Sequence, residues 1–349
     1  MENLLSTSNL ATKIQSFEQI MQGLKSKAYQ PIYFLTGDEP YYIDIISNYI
    51  ENNVLEESEK SFNQTILYGI DLKVEQILEN AKRFPMMSEK HVVIIKEAQN
   101  IKDVKNLILL QSYIEKPLDS TILVLCYKYK KIDLRTAFGK KINTSGFLFK
   151  SDKIKDYKLG EWITQYVHSK GYKISPKNSA LLSNHIGNDL SRVVNEIEKT
   201  FIHLSKGDEL AEDCIETNIG ISKDFNDFEL TAALSAKNYL KYNQIVDYFS
   251  KNQKDHPMIR TVGILYNFFI KVLILHYTKD KSEGNLASVL KVNPFFVKDY
   301  QTGARNYNAR KVLKVISLLR DYDAQSKGYN NSSTSNGELL KELAFKITH

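Results

Sequence analysis

Cysteine and histidine are scarce in this sequence of 349 residues, which has two cysteines and seven histidines. Cys126 lies in the apolar run 121–127, so we expect a buried free thiol rather than a disulfide with Cys214. A reducing compartment fits this pattern. The histidines lack cysteine or carboxylate neighbours at metal-ligand spacing, and we expect no zinc site and no other bound metal.

Long apolar runs are also missing. No run approaches the roughly 18 residues that cross a bilayer, and residues 1–8 lack the basic segment and apolar core of a secretory signal. We therefore expect a cytoplasmic protein without membrane contact. The apolar content of 42% and the charged content of 25% are ordinary for a globular protein, and the length allows two or three domains.

Residues 31–50 predict a strand, a tight loop and a helix, the first unit of a parallel α/β sheet. In nucleotide-binding domains this loop is glycine-rich, and a lysine and a Ser or Thr complete the phosphate site. Here Gly37 is the only glycine, Asp38 and Glu39 bring carboxylates to the place of an anion, and Pro40 lacks a backbone donor. The loop is therefore a degenerate phosphate loop, which favours an assembly component over an enzyme.

Strand and helix signals alternate as far as residue 150, which predicts an α/β domain over residues 1–150 with a parallel sheet. The run 91–95 is apolar and β-branched throughout, as expected when helices cover both faces of a sheet. The further strands are predicted at 61–69, 121–125 and 147–149, and the helices at 12–28, 74–81 and 104–114.

Strand signals disappear after residue 150, and the rest of the chain predicts helices only. Residues 151–220 read as a small helical domain with Trp162 in its core. Residues 221–349 read as a second one, with helices over 227–250, 257–277, near 286 and 294, and over 309–327 and 338–347. The helix 257–277 is apolar nearly all round, which is typical of a helix buried in a bundle or in an oligomer contact.

Basic residues concentrate between positions 128 and 158, where ten lysines and arginines face three acidic residues, although the net charge of the whole chain is only +6. Such a patch can meet nucleic-acid phosphate or an acidic protein. A solvated lysine-rich surface explains it equally well. The candidate contacts are Lys128, Lys130, Lys131, Arg135, Lys140 and Lys141.

Five motifs in order resemble the delta subunit family of the bacterial DNA polymerase III clamp loader. They are Tyr33 and Gly37 with Asp38-Glu39-Pro40-Tyr41, the run from Phe84 to Gln99, Asp189-Leu190 with Asn195-Glu196-Ile197-Glu198-Lys199, Phe228-Glu229-Leu230, and Asn293-Pro294-Phe295-Phe296-Val297. The resemblance extends over essentially the whole chain. Each motif is moderately specific, and their shared order strengthens the match.

The resemblance implies a degenerate AAA+-type α/β domain without a working nucleotide site, a helical lid over 151–220 and a helical collar over 221–349 that joins a pentameric ring. It implies no intrinsic catalysis and no cofactor, only membership of the DNA polymerase III holoenzyme, a DNA-directed DNA polymerase. Neighbouring subunits would bind ATP, and the ring would grip primer-template DNA. Glu97 follows a lysine rather than a second carboxylate, which is poor evidence for a magnesium site.

The resemblance also implies that the chain opens the sliding clamp with an apolar tip, here Phe84, Pro85, Met86 and Met87. The family often has Leu-Phe at this tip, and Pro85-Met86 stands in its place, so the location is implied but the anchoring residues are not. The alternative is structural: Phe84 continues the buried face of its helix and the methionines plug the end of the sheet.

Two other functions stay open at this point. One is a nucleotide-dependent, ATPase-like enzyme with an unorthodox site, which the missing lysine and Ser or Thr disfavour. The other is a helical adaptor without a role in replication. No Ser/His/Asp, Cys/His or paired-carboxylate arrangement in the sequence indicates independent catalysis.

Overall fold

The computed structural model describes residues 15–70, 72–102, 104–222 and 224–349, except for the side chains of residues 104 and 105. Two units are distinguished by their internal contacts. The first comprises the chain up to residue 154 together with 189–191, and the second comprises 155–188 and 192–349. The separation of a lid from a collar at residue 220 stays a prediction.

A five-stranded parallel sheet organises the first unit and confirms the predicted α/β class. The strands are β1 Ile32–Gly37, β2 Gln64–Tyr68, β3 His91–Lys96, β4 Thr121–Lys128 and β5 Leu148–Lys150. Their spatial order is β2-β3-β4-β1-β5, so the first strand lies between the fourth and the fifth. The central strands are apolar at consecutive positions because both faces of the sheet are covered.

Helices and two 3₁₀ turns cover the sheet. The helices of this unit are α1 Phe17–Lys25, α2 Pro40–Asn53, α3 Glu57–Asn63, α4 Val74–Ala81, α5 Gln111–Glu115 and α6 Ala137–Ser145, and the 3₁₀ turns span Ala98–Asn100 and Val104–Leu110. Successive side chains of a strand point to opposite faces of the sheet, so they pack in two separate hydrophobic clusters. Phe34 and Val93 pack in one cluster with α4 and α6, whereas Leu35 and Ile94 pack in the other with α1 and α2. Cys126 lies in the second cluster as a free thiol, and burial raises its pKa to about 12.

Two local predictions in this unit were wrong, and one helix was not predicted. Residues 61–63 end helix α3 rather than begin a strand; at the other end of this helix the Glu56 amide donates to Glu59 Oε2 at 2.9 Å. Helix α6 lies inside the basic segment and was not predicted; Thr136 caps it through the Gly139 amide. The helix predicted over 104–114 is mostly a 3₁₀ turn. Of the predicted leading helix 12–28, residues 12–14 lie outside the described residues.

The second unit is built from helices, in agreement with the sequence. The segment predicted over 227–250 is two helices, because Lys237 adopts a left-handed φ of 55° and Asn238 caps the second helix through the Lys241 amide. The helices are α7 Asp156–Ser169, α8 Pro176–Ile186, α9 Leu190–Phe201, α10 Glu212–Ile219, α11 Asp227–Ser235, α12 Tyr239–Lys251, α13 Met258–Tyr277, α14 Glu283–Leu290, α15 Val297–Asn306, α16 Ala309–Ser326 and α17 Asn336–Thr348, with a 3₁₀ turn at Pro294–Phe296.

Helix α13 is the central helix of this unit. Its most apolar 18 residues have a mean hydropathy of 1.7, so by length and composition it could cross a bilayer, and the expectation that no segment reaches that length was wrong. The same property is common in core helices of globular proteins. Leu265, Phe269 and Val272 are fully buried in the largest cluster of the unit, which accounts for the apolar sequence. Trp162 in α7, predicted to be core, is only half-buried and stacks on Tyr166.

Candidate functional site

The tip, residues Phe84 to Met87, lies in the loop between α4 and β3 and presents apolar side chains to solvent. Phe84 is 77% exposed, Met86 is 57% exposed and Met87 is fully exposed. Helix α4 ends at Ala81, so Phe84 does not continue the buried face formed by its apolar residues. The structure therefore contradicts the alternative in which these side chains complete the core.

Asn63, at the end of α3, fixes the backbone of the tip. The Met86 amide donates to Asn63 Oδ1 at 2.6 Å, and Asn63 Nδ2 donates to the Met86 carbonyl at 2.8 Å. Asn63 is 1% exposed, so water does not compete for these bonds. Sequence reasoning missed this role, since its only signal is a lone asparagine just before a strand.

Further bonds hold both ends of the loop. The Tyr113 hydroxyl donates to the carbonyl of Ala81, the last residue of α4, at 3.1 Å. On the other side, Lys90 Nζ donates to the carbonyl of Asp119 at 2.6 Å. Met87 itself has a left-handed φ of 53°, an uncommon conformation for a side chain of this size. The tip is thus a set of exposed side chains on a fixed backbone.

In the degenerate phosphate loop, a carboxylate of the chain itself lies at the amino-terminal end of helix α2. Glu39 is buried and caps helix α2, accepting the Tyr41 amide on Oε1 at 3.0 Å. That position, the positive end of a helix, is where a phosphate would bind. Burial raises the pKa of Glu39, the expected response of a carboxyl group removed from water.

The backbone of this loop is held against residue 151. The Glu39 amide donates to the carbonyl of Ser151 at 3.1 Å, and the Ser151 amide donates to the carbonyl of Thr36 at 2.7 Å. A Cβ atom on Gly37 would lie 1.9 Å from the Ser151 carbonyl oxygen, so the glycine serves this close approach. Pro40 opens α2 and contributes no amide.

Glu97, the other acidic candidate of an ATPase, is engaged in local contacts. It has a left-handed φ of 54°, bonds the Gln99 side chain and lies 3.5 Å from Lys128 Nζ. No group of His, Cys, Asp and Glu side chains in the described part of the chain is arranged to hold a metal ion.

Carboxylates pair with part of the basic segment. Four of its six candidate contacts form ion pairs: Lys128 with Asp44 at 2.6 Å, Lys131 with Asp38 at 3.0 Å and Asp152 at 2.6 Å, Arg135 with Asp133 at 2.9 Å, and Lys141 with Glu115 at 2.8 Å. Burial disfavours the Lys128 ammonium, but the neighbouring carboxylates outweigh it and raise its pKa. Among the described residues, Lys130 and Lys140 are the members of the set without a carboxylate within 4 Å.

Two of the five sequence motifs meet inside the second unit. The rings of Phe228 and Phe296 stack with centroids 4.5 Å apart and an angle of 10° between their planes. Asn293 caps the 3₁₀ turn of the second motif through the Phe295 amide. Glu229 pairs with Lys241 and with Lys177. These motif residues therefore have structural roles in packing and capping.

Two segments of the chain match models of a known protein family. Residues 33–151, which contain the degenerate loop and the tip, match the model described as DNA polymerase III, delta subunit, and residues 224–343 match its C-terminal domain. The chain belongs to the DNA polymerase III delta subunit family. The two matched segments fall in the first and second units respectively.

Individual relatives agree with the delta family. The chain is 25% identical over 333 residues to DNA polymerase III subunit delta of Bacillus subtilis strain 168, an alignment that spans 93% of this chain and 94% of that protein. The solved structure of the Bacillus subtilis DNA clamp loader delta protein YqeN is 22% identical, has a TM-score of 0.55 and matches 95% of this chain and 99% of that one. The fold is therefore that of the delta family, with its AAA+-type sheet and helical second unit.

Proposed function

We propose that this chain is the clamp-opening subunit of a replicative clamp loader and that the tip residues bind the sliding clamp. The observation that carries the proposal is the tip itself, with three exposed apolar side chains on a loop fixed by the Asn63 bonds. Exposed apolar groups of this kind mark binding sites in soluble proteins.

Burial of the tip in an apolar pocket supplies a substantial binding energy. A Phe or Met side chain contributes roughly 1.5–3 kcal/mol when it is fully buried. Met86 and Met87 have flexible thioether side chains that adapt to irregular pockets, so Pro85-Met86 can replace the pair more usual in the family. Because the backbone is already ordered, little entropy is lost on binding.

A fixed backbone also suits the opening of a closed ring. A loop that is flexible in the free protein absorbs force by changing its own conformation, whereas a rigid one transmits force to its partner. The Asn63 bonds join the tip to α3, the Tyr113 bond holds the end of α4 to α5, and the Lys90 bond holds the residue before β3 to the turn that precedes β4. The proposal therefore assigns binding to the exposed side chains and force transmission to their anchors.

The proposal includes no catalysis by this chain. Glu39 occupies the anion position of the loop, which supports a subunit that depends on its neighbours for ATP binding.

The second unit would join the pentameric ring. On α13, Ile259, Tyr266 and Tyr277 are exposed at spacings of seven and eleven, on one face of the helix, and offer an apolar surface for a neighbouring subunit. Within the assembled clamp loader, Lys130 and Lys140 would contact DNA. The protein would act in the cytoplasm.

Ring opening provides the test of this function. A clamp labelled with a fluorescent donor and acceptor across one subunit interface should lose energy transfer when the purified protein is added. The double substitution Met86→Ser and Met87→Ser should abolish the change. A matched control, Ile202→Ser with Leu240→Ser, removes two exposed aliphatic side chains from the second unit and should leave opening intact. Full opening by the tip variant would contradict the proposal.

A further inference from the structure

A cavity of about 540 Å³ lies within the second unit, away from the tip and the degenerate loop. It is formed by residues of α8 and α9, by the segment that leads into α11, and by the turn between α12 and α13. We propose that this cavity binds an oxyanion of the phosphate class. The proposal is independent of clamp binding and of the tip.

Basic side chains dominate the charged lining of the cavity. They are Arg192, Lys254 and Arg260, with the imidazoles of His185 and His256, against the carboxylates of Asp227 and Asp255. Arg260 Nη2 donates to Asp227 Oδ2 at 2.8 Å, which neutralises that carboxylate. A guanidinium has five donors in all, so this bond leaves others able to reach an anion.

Of the two histidines, His185 lies where positive charge dominates over negative charge. Burial lowers the pKa of His185, and the positive charges of Arg260 and Arg192 lower it further, outweighing the opposite effect of Asp227. At His256 burial accounts for the lowered pKa: among the charged neighbours, Asp227 and Asp255 raise it and outweigh Arg260, which lowers it. A bound anion would favour the charged form of both imidazoles.

The cavity is built on ordered parts. The His256 ring stacks on Phe249 with centroids 4.0 Å apart and meets the Tyr248 ring edge-on at 5.6 Å. Helix α11 starts at the cavity, and its N-cap Asn226 and first residue Asp227 are part of the wall.

Lys254 completes the arrangement at the solvent side. It is exposed, and within the described ranges it forms no ion pair, so its ammonium is available to a ligand. Lys251, three residues earlier on α12, is also exposed but pairs with Asp247 at 2.6 Å and does not line the cavity. The two lysines therefore form a matched pair for a test.

Anion binding to this cavity should be coupled to proton uptake. An anion favours the charged imidazolium, so it raises the pKa of His185 and His256, and affinity should rise as the pH falls from about 8 to about 6. Sulfate is the best probe, since its own charge is constant over this range. Binding is followed on the full chain by calorimetry, and the histidine pKa values by NMR with and without sulfate.

We expect tighter sulfate binding at the lower pH and a pKa increase for two histidines. Lys254→Gln should weaken binding about two- to fivefold, whereas Lys251→Gln, with the same loss of charge, should not. Comparing inorganic phosphate with AMP then separates a free anion from a nucleoside phosphate, since only the second gains affinity from the base. Absence of sulfate binding, pH-independent binding, or equal losses in both lysine variants would overturn the proposal.

Discussion

Asn63 and Met86 are 23 residues apart and exchange two hydrogen bonds, one in each direction, between the asparagine amide group and the Met86 backbone. One buried polar side chain thus fixes the backbone at the centre of an exposed apolar loop. The buried asparagine therefore determines the position of the exposed loop. It also allows binding and anchoring to be tested separately, because Asn63 itself cannot touch a partner.

Asn63→Ala should weaken clamp binding although the tip side chains are unchanged. The substitution leaves the Met86 amide and carbonyl without their partners and should cost about 1–3 kcal/mol of unfolding free energy. The freed loop must then be ordered during binding, which lowers affinity. Denaturant unfolding and clamp titration measure the two effects. The control is Asn80→Ala on α4, whose side chain bonds only the carbonyl of Gln76; unchanged clamp affinity in Asn63→Ala would show that preorganisation is unimportant.

Met87→Gly should separate stability from binding. The fully exposed side chain has no packing to lose, and glycine relieves the left-handed backbone while adding entropy to the unfolded chain, so the unfolding free energy should change by less than about 1 kcal/mol. Clamp affinity should nevertheless fall clearly. Tyr129 is also exposed, with a left-handed φ of 56°, and Tyr129→Gly should leave affinity unaltered. Equal affinity losses in both variants would point to a general effect of glycine.

Glu39→Gln should alter the pH dependence of stability. The folded-state pKa of Glu39 is raised above its ordinary 4.5, so the folded protein holds this proton more tightly than the unfolded chain does. The contribution of Glu39 to the stability of the wild type is therefore present at low pH and is lost as the pH rises through the pKa of Glu39 in the folded protein. The substituted glutamine keeps an acceptor for the Tyr41 amide without a charge. Urea unfolding should show that the variant is at least as stable as the wild type at neutral pH. The difference in unfolding free energy should vanish near pH 4.5. A large destabilisation of the variant at neutral pH would contradict this account of the loop.

Lys130→Gln combined with Lys140→Gln should reduce the salt dependence of DNA binding by the assembled clamp loader. Each lysine that contacts phosphate on duplex DNA contributes about 0.9 to the slope of log affinity against log salt. Lys279→Gln with Lys281→Gln removes the same charge from an exposed loop of the second unit and is the control. An unchanged slope in the first variant would assign these lysines to a solvated surface.

The sheet was predictable from sequence because its strands are short apolar runs flanked by helical periodicity, and both signals are local. The strand at 91–95 and the five-strand architecture followed from that pattern. The location of the tip came from the family resemblance, and the exposure of Phe84 decided between two local alternatives. Local signals failed at residues 61–63, which continue helix α3 although β2 begins directly after them.

Contacts between distant positions were not predictable. Asn63 reaches Met86 only because α3 and the tip lie side by side in the folded chain. In the same way, Lys131 after β4 pairs with Asp38 after β1, and Lys128 at the end of β4 pairs with Asp44 on α2. Local charge counting therefore overestimated the free positive charge of the basic segment.

Titration of the purified protein against the sliding clamp of the same organism, with magnesium-ATP binding measured in parallel, tests the central claim most directly. An ATP signal that is unchanged in Lys254→Gln would report the loop at Gly37 rather than the cavity of the second unit. The account predicts saturable clamp binding and no ATP binding, as expected when Glu39 fills the anion position. Binding of ATP without binding of the clamp would contradict it.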